Sequence, residues 1–152
     1  PDDKFIFCCF NKKYKIDPNM FEIWMNILKK ANNSVLWLLD DENESTTNLL
    51  YETELRNVDP KRIIFSKKIS THDHLARHSL ADLFLDTFPY GAHTTASDAL
   101  WSGLPIITKR GNSFASRVAS SLLKAISMDN LITSTDQEYQ DLAVKLAQRN
   151  YK

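Results

Sequence analysis

Short, largely apolar runs that do not alternate with polar residues constrain this chain more than any other feature. They are Phe5–Phe10, Val35–Leu39, Arg62–Phe65, Leu83–Leu85 and Leu104–Thr108. A strand with one wet face alternates; an unbroken run is buried on both faces, as in a parallel sheet. Between the runs lie longer stretches with apolar residues at helical spacing. Phe21, Trp24, Met25, Ile27 and Leu28 form one stripe, and Phe114, Ala115, Val118, Ala119, Leu122 and Leu123 another. Tyr139, Leu142, Ala143 and Leu146 form a third. Strands alternating with helices predict an α/β fold on a parallel sheet, with helices flanking it. The length, 152 residues, fits one domain that can bury a core.

Local signals punctuate these elements. Asp17-Pro18 reads as N-cap and first residue of a helix that runs to about Ala31. Asn32-Asn33-Ser34 reads as a turn. Asp40 to Asn48 reads as an acidic loop into a helix from roughly Thr46 to Arg56, which Val58-Asp59-Pro60 ends. Ser70 or Thr71 is placed to cap a short helix, Gly111-Asn112-Ser113 a later one, and Ser134-Thr135-Asp136 the last. Met128–Thr133 reads as a short extended stretch.

The centre of the chain is Leu80–Arg117. The apolar Leu83–Leu85 is broken by Pro89-Tyr90-Gly91. His93-Thr94-Thr95 then opens a helix carrying Ala96, Ala99, Leu100 and Trp101. Gly103 stops it and Pro105 follows, giving strand, tight loop, helix and strand. The first turn of a helix has unpaired N–H groups and partial positive charge, which suits a phosphate or diphosphate. Thr94 and Thr95 add hydroxyls there, and Asp98 places a carboxylate where it can accept from a sugar diol. The plainer reading is an N-cap threonine and a solvated aspartate.

Two further clusters have the same two-sided character. Lys12, Lys13 and Lys15 follow the first strand. They are either a solvated loop or, at the carboxyl end of a strand in an open α/β sheet, a place from which Lys12 or Lys15 can reach a phosphate. His74 and Arg77 share a helix face and can stack on or hydrogen-bond a nucleobase; the alternative is a polar surface helix. His74 and His78 have chelate spacing, but no Glu completes an H-E-x-x-H motif, so no metal site is expected. Ser113, Ser116 and Arg117 mark another candidate anion-facing end.

Composition narrows the function. Lys plus Arg and Asp plus Glu are both 19, so no net charge draws the chain to nucleic acid or an anionic membrane. No apolar run is long enough for a transmembrane helix, and no signal peptide is visible. The opening Pro1-Asp2-Asp3-Lys4, just ahead of a strand, reads as a piece of a longer protein. Cys8 and Cys9 are neighbours in a strand and point to opposite faces, so no bridge is expected and a reducing compartment fits. With Gly91, Gly103 and Gly111 as its only glycines, the chain has neither G-x-G-x-x-G nor a P-loop nor G-x-S-x-G. Phosphate binding must therefore rest on helix termini and lysines.

Longer blocks carry a resemblance. F-C-C-F-N-K-K-Y-K-I-D-P (Phe7–Pro18), S-V-L-W-L-L (Ser34–Leu39), R-I-I-F-S (Arg62–Ser66) and L-D-T-F-P-Y-G-A-H-T-T-A-S-D-A-L-W-S-G-L-P-I-I-T (Leu85–Thr108) occur in that order. F-A-S-R-V-A-S-S-L-L (Phe114–Leu123) and E-Y-Q-D-L-A-V-K-L-A (Glu138–Ala147) follow. Together they resemble the C-terminal catalytic lobe of the protein O-linked N-acetylglucosamine transferases, with a bacterial flavour, over nearly the whole chain.

The resemblance implies a Rossmann-like lobe of a GT-B glycosyltransferase that holds a UDP-sugar. An N-terminal lobe preceded by tetratricopeptide repeats would supply most of the acceptor site. Transfer of N-acetylglucosamine or a related hexose to protein Ser or Thr would be inverting and metal-independent, with no cofactor, in the cytoplasm. Lys15 matches the lysine on the diphosphate that assists the leaving group. His74 matches the histidine that packs on uracil, and Arg77 the arginine near it. His93, Thr94 and Thr95 match the phosphate-holding residues, and Asp98 the ribose carboxylate. Lys12 stands where animal members have a glutamine facing the phosphates, and Thr71 where they have a lysine near the ribose, which leaves the donor sugar open. A non-catalytic nucleotide-sensing or interaction module of the same fold, or another UDP-sugar enzyme such as an epimerase, are the competing expectations.

Overall fold

The structure, a computed structural model, describes residues 3–40 and 44–149. The middle of the expected acidic loop, residues 41–43, lies outside the described residues. The strands are β1 Phe5–Cys9, β2 Ser34–Asp40, β3 Ile63–Lys67, β4 Leu83–Leu85, β5 Ile106–Lys109 and β6 Ile132–Thr133. The α-helices are α1 Pro18–Lys30, α2 Ser45–Leu55, α3 Thr71–Arg77, α4 Thr94–Trp101, α5 Val118–Ala125 and α6 Asp136–Arg149. Every strand pairing is parallel, and the strands lie in the order β3-β2-β1-β4-β5-β6. This is a Rossmann-like sheet whose strand order reverses between β1 and β4.

The unbroken apolar runs explain this placement. Phe7, Cys8 and Cys9 of β1 and Leu83, Phe84 and Leu85 of β4 are all buried, as central strands covered on both faces require. Both cysteines are free, and burial pushes their thiols up from the ordinary range. In α1, the Asp17 carboxylate accepts from Met20 N at 2.7 Å and Pro18 occupies the first turn. The buried stripe of α1 includes Met20, Phe21, Ile23, Trp24, Ile27 and Leu28. α1 packs on α6, and α4 on α5. Trp24 Nε1 donates to the Tyr139 hydroxyl at 3.3 Å, which donates to the backbone oxygen of Asp86 at 2.8 Å. A polar line thus runs through the core from α1 and α6 to the end of β4.

The structure departs from expectation in several places. Ser34 is not in the turn; it begins β2, its hydroxyl donating to Ala31 O at 2.6 Å. Arg62 belongs to a 3-10 turn and sends its guanidinium to Leu28 O and Ala31 O, both at 2.8 Å. β5 begins at Ile106, after Pro105, whose missing N–H cannot join a ladder. Met128–Thr133 is mostly a 3-10 turn, Asp129–Leu131, with a two-residue strand after it.

Phe114 is not core: it sits in a 3-10 turn ahead of α5 and is 79% exposed. Trp101, at the last turn of α4, is 86% exposed, because Ala96 and Ala99 already carry that helix's buried face. Among the described residues no helix is long and apolar enough to cross a membrane.

Candidate functional site

The strand reversal leaves a crevice beyond the carboxyl ends of β1 and β4. Two segments wall it: residues 10–15 after β1, and the 86–93 loop that carries the chain from β4 into α4. Asp86 anchors the loop. It is 2% exposed, and its Oδ1 accepts from Ala92 N at 2.7 Å, Thr87 N at 2.8 Å and Asn11 Nδ2 at 3.4 Å. Its Oδ2 accepts from the Thr108 hydroxyl at 2.7 Å. Burial pushes its carboxyl up to about 6, against the pull of those donors. Thr87 closes the loop on itself, donating to Tyr90 O at 2.6 Å.

On this base the loop displays its functional groups. Lys15 Nζ donates to Gly91 O at 3.1 Å and lies 4.2 Å from the centre of the Tyr90 ring. Burial pulls its ammonium below the ordinary lysine range. The Tyr90 ring stacks on His93, with centroids 5.4 Å apart and planes within 15°. His93 is the N-cap of α4, and no side chain caps that helix. Neither threonine is the ordinary N-cap. Thr95 instead donates its hydroxyl to Asn11 Oδ1, and Thr94 is exposed. The first-turn N–H groups of α4 thus have no side-chain cap among the described residues.

A second cluster stands beside the first, built on α3. The Ser70 hydroxyl starts the helix, accepting from Asp73 N at 3.2 Å. Arg77 is buried, at 6% exposure, and does not reach into the crevice. Its guanidinium lies 4.6 Å over the Phe10 ring and donates to Lys67 O at 3.1 Å and to His74 Nδ1 at 2.9 Å. His74 is half-buried. Burial first, then the Arg77 charge, pulls its pKa down to about 4, so it is neutral at pH 7. With Nδ1 accepting from Arg77, the neutral ring carries its proton on Nε2.

His78 is fully buried and donates from Nδ1 to His74 O at 2.7 Å. Asp98 is half-buried, close enough to favour the protonated form of both histidines. Phe10 and Asn11, adjacent in the chain, join the clusters: Phe10 packs on His74, and Asn11 binds Thr95.

The other candidates fall in different places. Lys12 is exposed beside Lys15, while Lys13 turns away to Thr46 and Asp40. His74 and His78 meet edge to face, the Nδ1 of His74 accepting from Arg77 and the Nδ1 of His78 donating to His74 O. Among the described residues no group of three or more His, Cys, Asp or Glu could hold a metal ion. Ser116 is buried with its hydroxyl on Ser113 O at 2.9 Å, while Arg117 is exposed.

The chain matches, over residues 1–152, the model of glycosyl transferase family 41. It belongs to glycosyl transferase family 41. Within the family it is 42% identical to a Caenorhabditis elegans UDP-N-acetylglucosamine–peptide N-acetylglucosaminyltransferase, over 96% of this chain and 13% of that protein. It is 41% identical to a probable enzyme of the same description, SEC, from Arabidopsis thaliana, over 97% of this chain and 15% of that one. It therefore spans about an eighth to a sixth of the curated relatives it matches. Among solved structures, a mutant of Thermobaculum terrenum O-GlcNAc transferase superposes with a TM-score of 0.93 at 31% identity, over 97% of this chain and 29% of that one. The C-terminal domain of a group 1 glycosyl transferase from Francisella tularensis superposes at 0.57 with 16% identity, over 99% and 87%, a likeness of fold alone. The family-41 sheet and its flanking helices are thus those of a GT-B lobe.

Sequence reasoning passed over Asn11, Asp86, Thr87 and Tyr90 as site residues. The signal for three of them was weak but present: polar residues directly abutting unbroken apolar strands, where the backbone is still buried, need partners. Tyr90 gave none, since an aromatic in a breaker cluster reads as a turn residue.

Proposed function

We propose that this chain is the donor-binding lobe of a metal-independent, inverting glycosyltransferase that moves N-acetylglucosamine, or a related hexose, from UDP to protein Ser or Thr. The observation that carries this reading is the uncapped start of α4 with the Lys15 ammonium held on the loop that leads into it, in a family-41 chain. A diphosphate fits there because N–H groups, hydroxyls and one ammonium all favour negative charge. They supply in protein groups the neutralisation of the leaving diphosphate that other transferases draw from a divalent ion. His74 offers a neutral ring edge with one N–H, suited to a uracil carbonyl, and Asp98 a carboxylate for ribose hydroxyls. Arg77 acts from behind by fixing the His74 tautomer.

The relatives' names support a peptide as acceptor and UDP-N-acetylglucosamine as donor. The rest of the parent protein, an N-terminal lobe with tetratricopeptide repeats, completes the acceptor site in this reading. The setting is cytoplasmic, consistent with two free, buried thiols. Calorimetric titration of the full-length protein with UDP in chelator tests the proposal. Binding is expected to persist and to weaken about ten- to a hundredfold in Lys15→Ala, the range for a charged hydrogen bond, with a smaller loss in His74→Ala. Binding that disappears with chelator, or that is untouched by Lys15→Ala, refutes it.

A further inference from the structure

We propose that Tyr90 is a positioning residue of this site, its ring holding the Lys15 ammonium beside the open start of α4. The inference rests on the donor-site reading given above, since it assigns how the charge that meets the diphosphate is kept in place.

Lysine carries its charge on a long, flexible stem, and a half-buried lysine without contacts spreads over many rotamers. Here two contacts from consecutive residues hold it. The ring of Tyr90 lies 4.2 Å from Nζ, and the carbonyl of Gly91 accepts from Nζ at 3.1 Å. The ring is itself fixed. The Tyr90 backbone oxygen accepts from the Thr87 hydroxyl, and its ring stacks on His93, the residue that starts α4. One aromatic ring therefore sets the distance between the ammonium and the helix start. The negative face of the ring favours the charged amine at a place where burial works against it.

Tyr90 is 43% exposed, too open to serve as core. The contact with Nζ needs the π-face and not the hydroxyl, so Phe can replace Tyr here and an aliphatic side chain cannot.

A double-mutant cycle on the full-length protein tests this, with UDP affinity in chelator as readout. Tyr90→Leu is expected to weaken binding about three- to thirtyfold, and Tyr90→Phe to recover most of that loss. In a Lys15→Ala background, Tyr90→Leu is expected to cost less than twofold further, because the group it positions is gone. Full additivity of the two losses overturns the proposal and marks Tyr90 as merely structural. So does an equal loss in Tyr90→Phe and Tyr90→Leu. Should Tyr90→Leu lose its fold by circular dichroism, Tyr90→Trp replaces it: a π-face kept gives binding within a few-fold of the parent, and a large loss overturns the proposal. If the unmutated protein does not bind UDP, the donor-site reading itself falls, an outcome separate from additivity.

Discussion

Replacing Asp86 by asparagine isolates the charge of the buried carboxylate from its shape. In the structure Oδ1 accepts from Thr87 N, Ala92 N and Asn11 Nδ2, and Oδ2 from the Thr108 hydroxyl. An asparagine oxygen in the Oδ1 place keeps the first three. Its amide then donates to Thr108, whose hydroxyl accepts as readily as it donates. The Thr108 hydroxyl proton then loses its acceptor, a cost equal at every pH, so the pH dependence of the difference reports the charge alone. Burial raises the carboxyl from 3.8 to about 6, so ionising it in the folded chain costs about 3 kcal/mol more than in the unfolded chain. The sign follows from linkage. Between about pH 4 and pH 6 the folded chain holds a proton that the unfolded chain has released, so stability falls as pH rises through that window. Above it the full penalty remains; below it the penalty vanishes. Asp86→Asn has no such dependence. Chemical denaturation of both proteins from pH 4 to pH 8 is expected to show the variant gaining about 3 kcal/mol on the parent across the range. All other carboxylates cancel in the difference. A difference that stays constant from pH 4 to pH 8 refutes the reasoning, and would mean that the four donors fully compensate burial.

Asp17→Ala removes the N-cap that accepts from Met20 N, and is expected to cost about 1 kcal/mol in a denaturation midpoint; an unchanged midpoint would show that Pro18 and the packed stripe start α1 unaided. Gly111→Ala drives a Cβ to 2.8 Å from Phe88 Cε2 and against the buried Ser116 side chain, with an expected cost of about 1–3 kcal/mol. Wild-type stability in that variant would show that the turn before α5 yields freely.

The sheet was legible because burial on both faces is written residue by residue in β1, β2 and β4, and because helical stripes separate them. Caps were legible for the same local reason, as at Asp17 and Ser70. What periodicity could not supply was the sense of aromatic residues at element ends. Phe114 and Trp101 matched apolar spacing, yet they sit where a helix has not begun or is finishing, and both face solvent. The site was half legible. Groups expected to meet a ligand, such as Lys15, His74 and the His93-Thr94-Thr95 turn, are named by chemistry that has an obvious use. The residues holding them, Asn11, Asp86 and Tyr90, are chosen by tertiary contacts across about eighty positions of chain, which no local pattern records.

The distribution of charge along the crevice shows why the site is built in two clusters and not one. At the α3 end the half-buried group is an imidazole kept neutral first by burial and then by the Arg77 cation, which is itself buried, its donors spent on His74 and the backbone of Lys67. At the α4 end the groups are a half-buried ammonium, hydroxyls and uncapped N–H groups. Asp98 lies between, on α4 yet close enough to act on His74 and His78. In the donor-site reading proposed above, a ligand that satisfies all three is uncharged at one end, rich in hydroxyls in the middle and anionic at the other. Inorganic phosphate meets only the last requirement and a free sugar only the second, whereas the nucleoside diphosphate of that reading meets all three in that order. Phe10 and Asn11 make the spacing rigid, because adjacent residues leaving one central strand cannot move apart: one holds the α3 cluster and the other the start of α4.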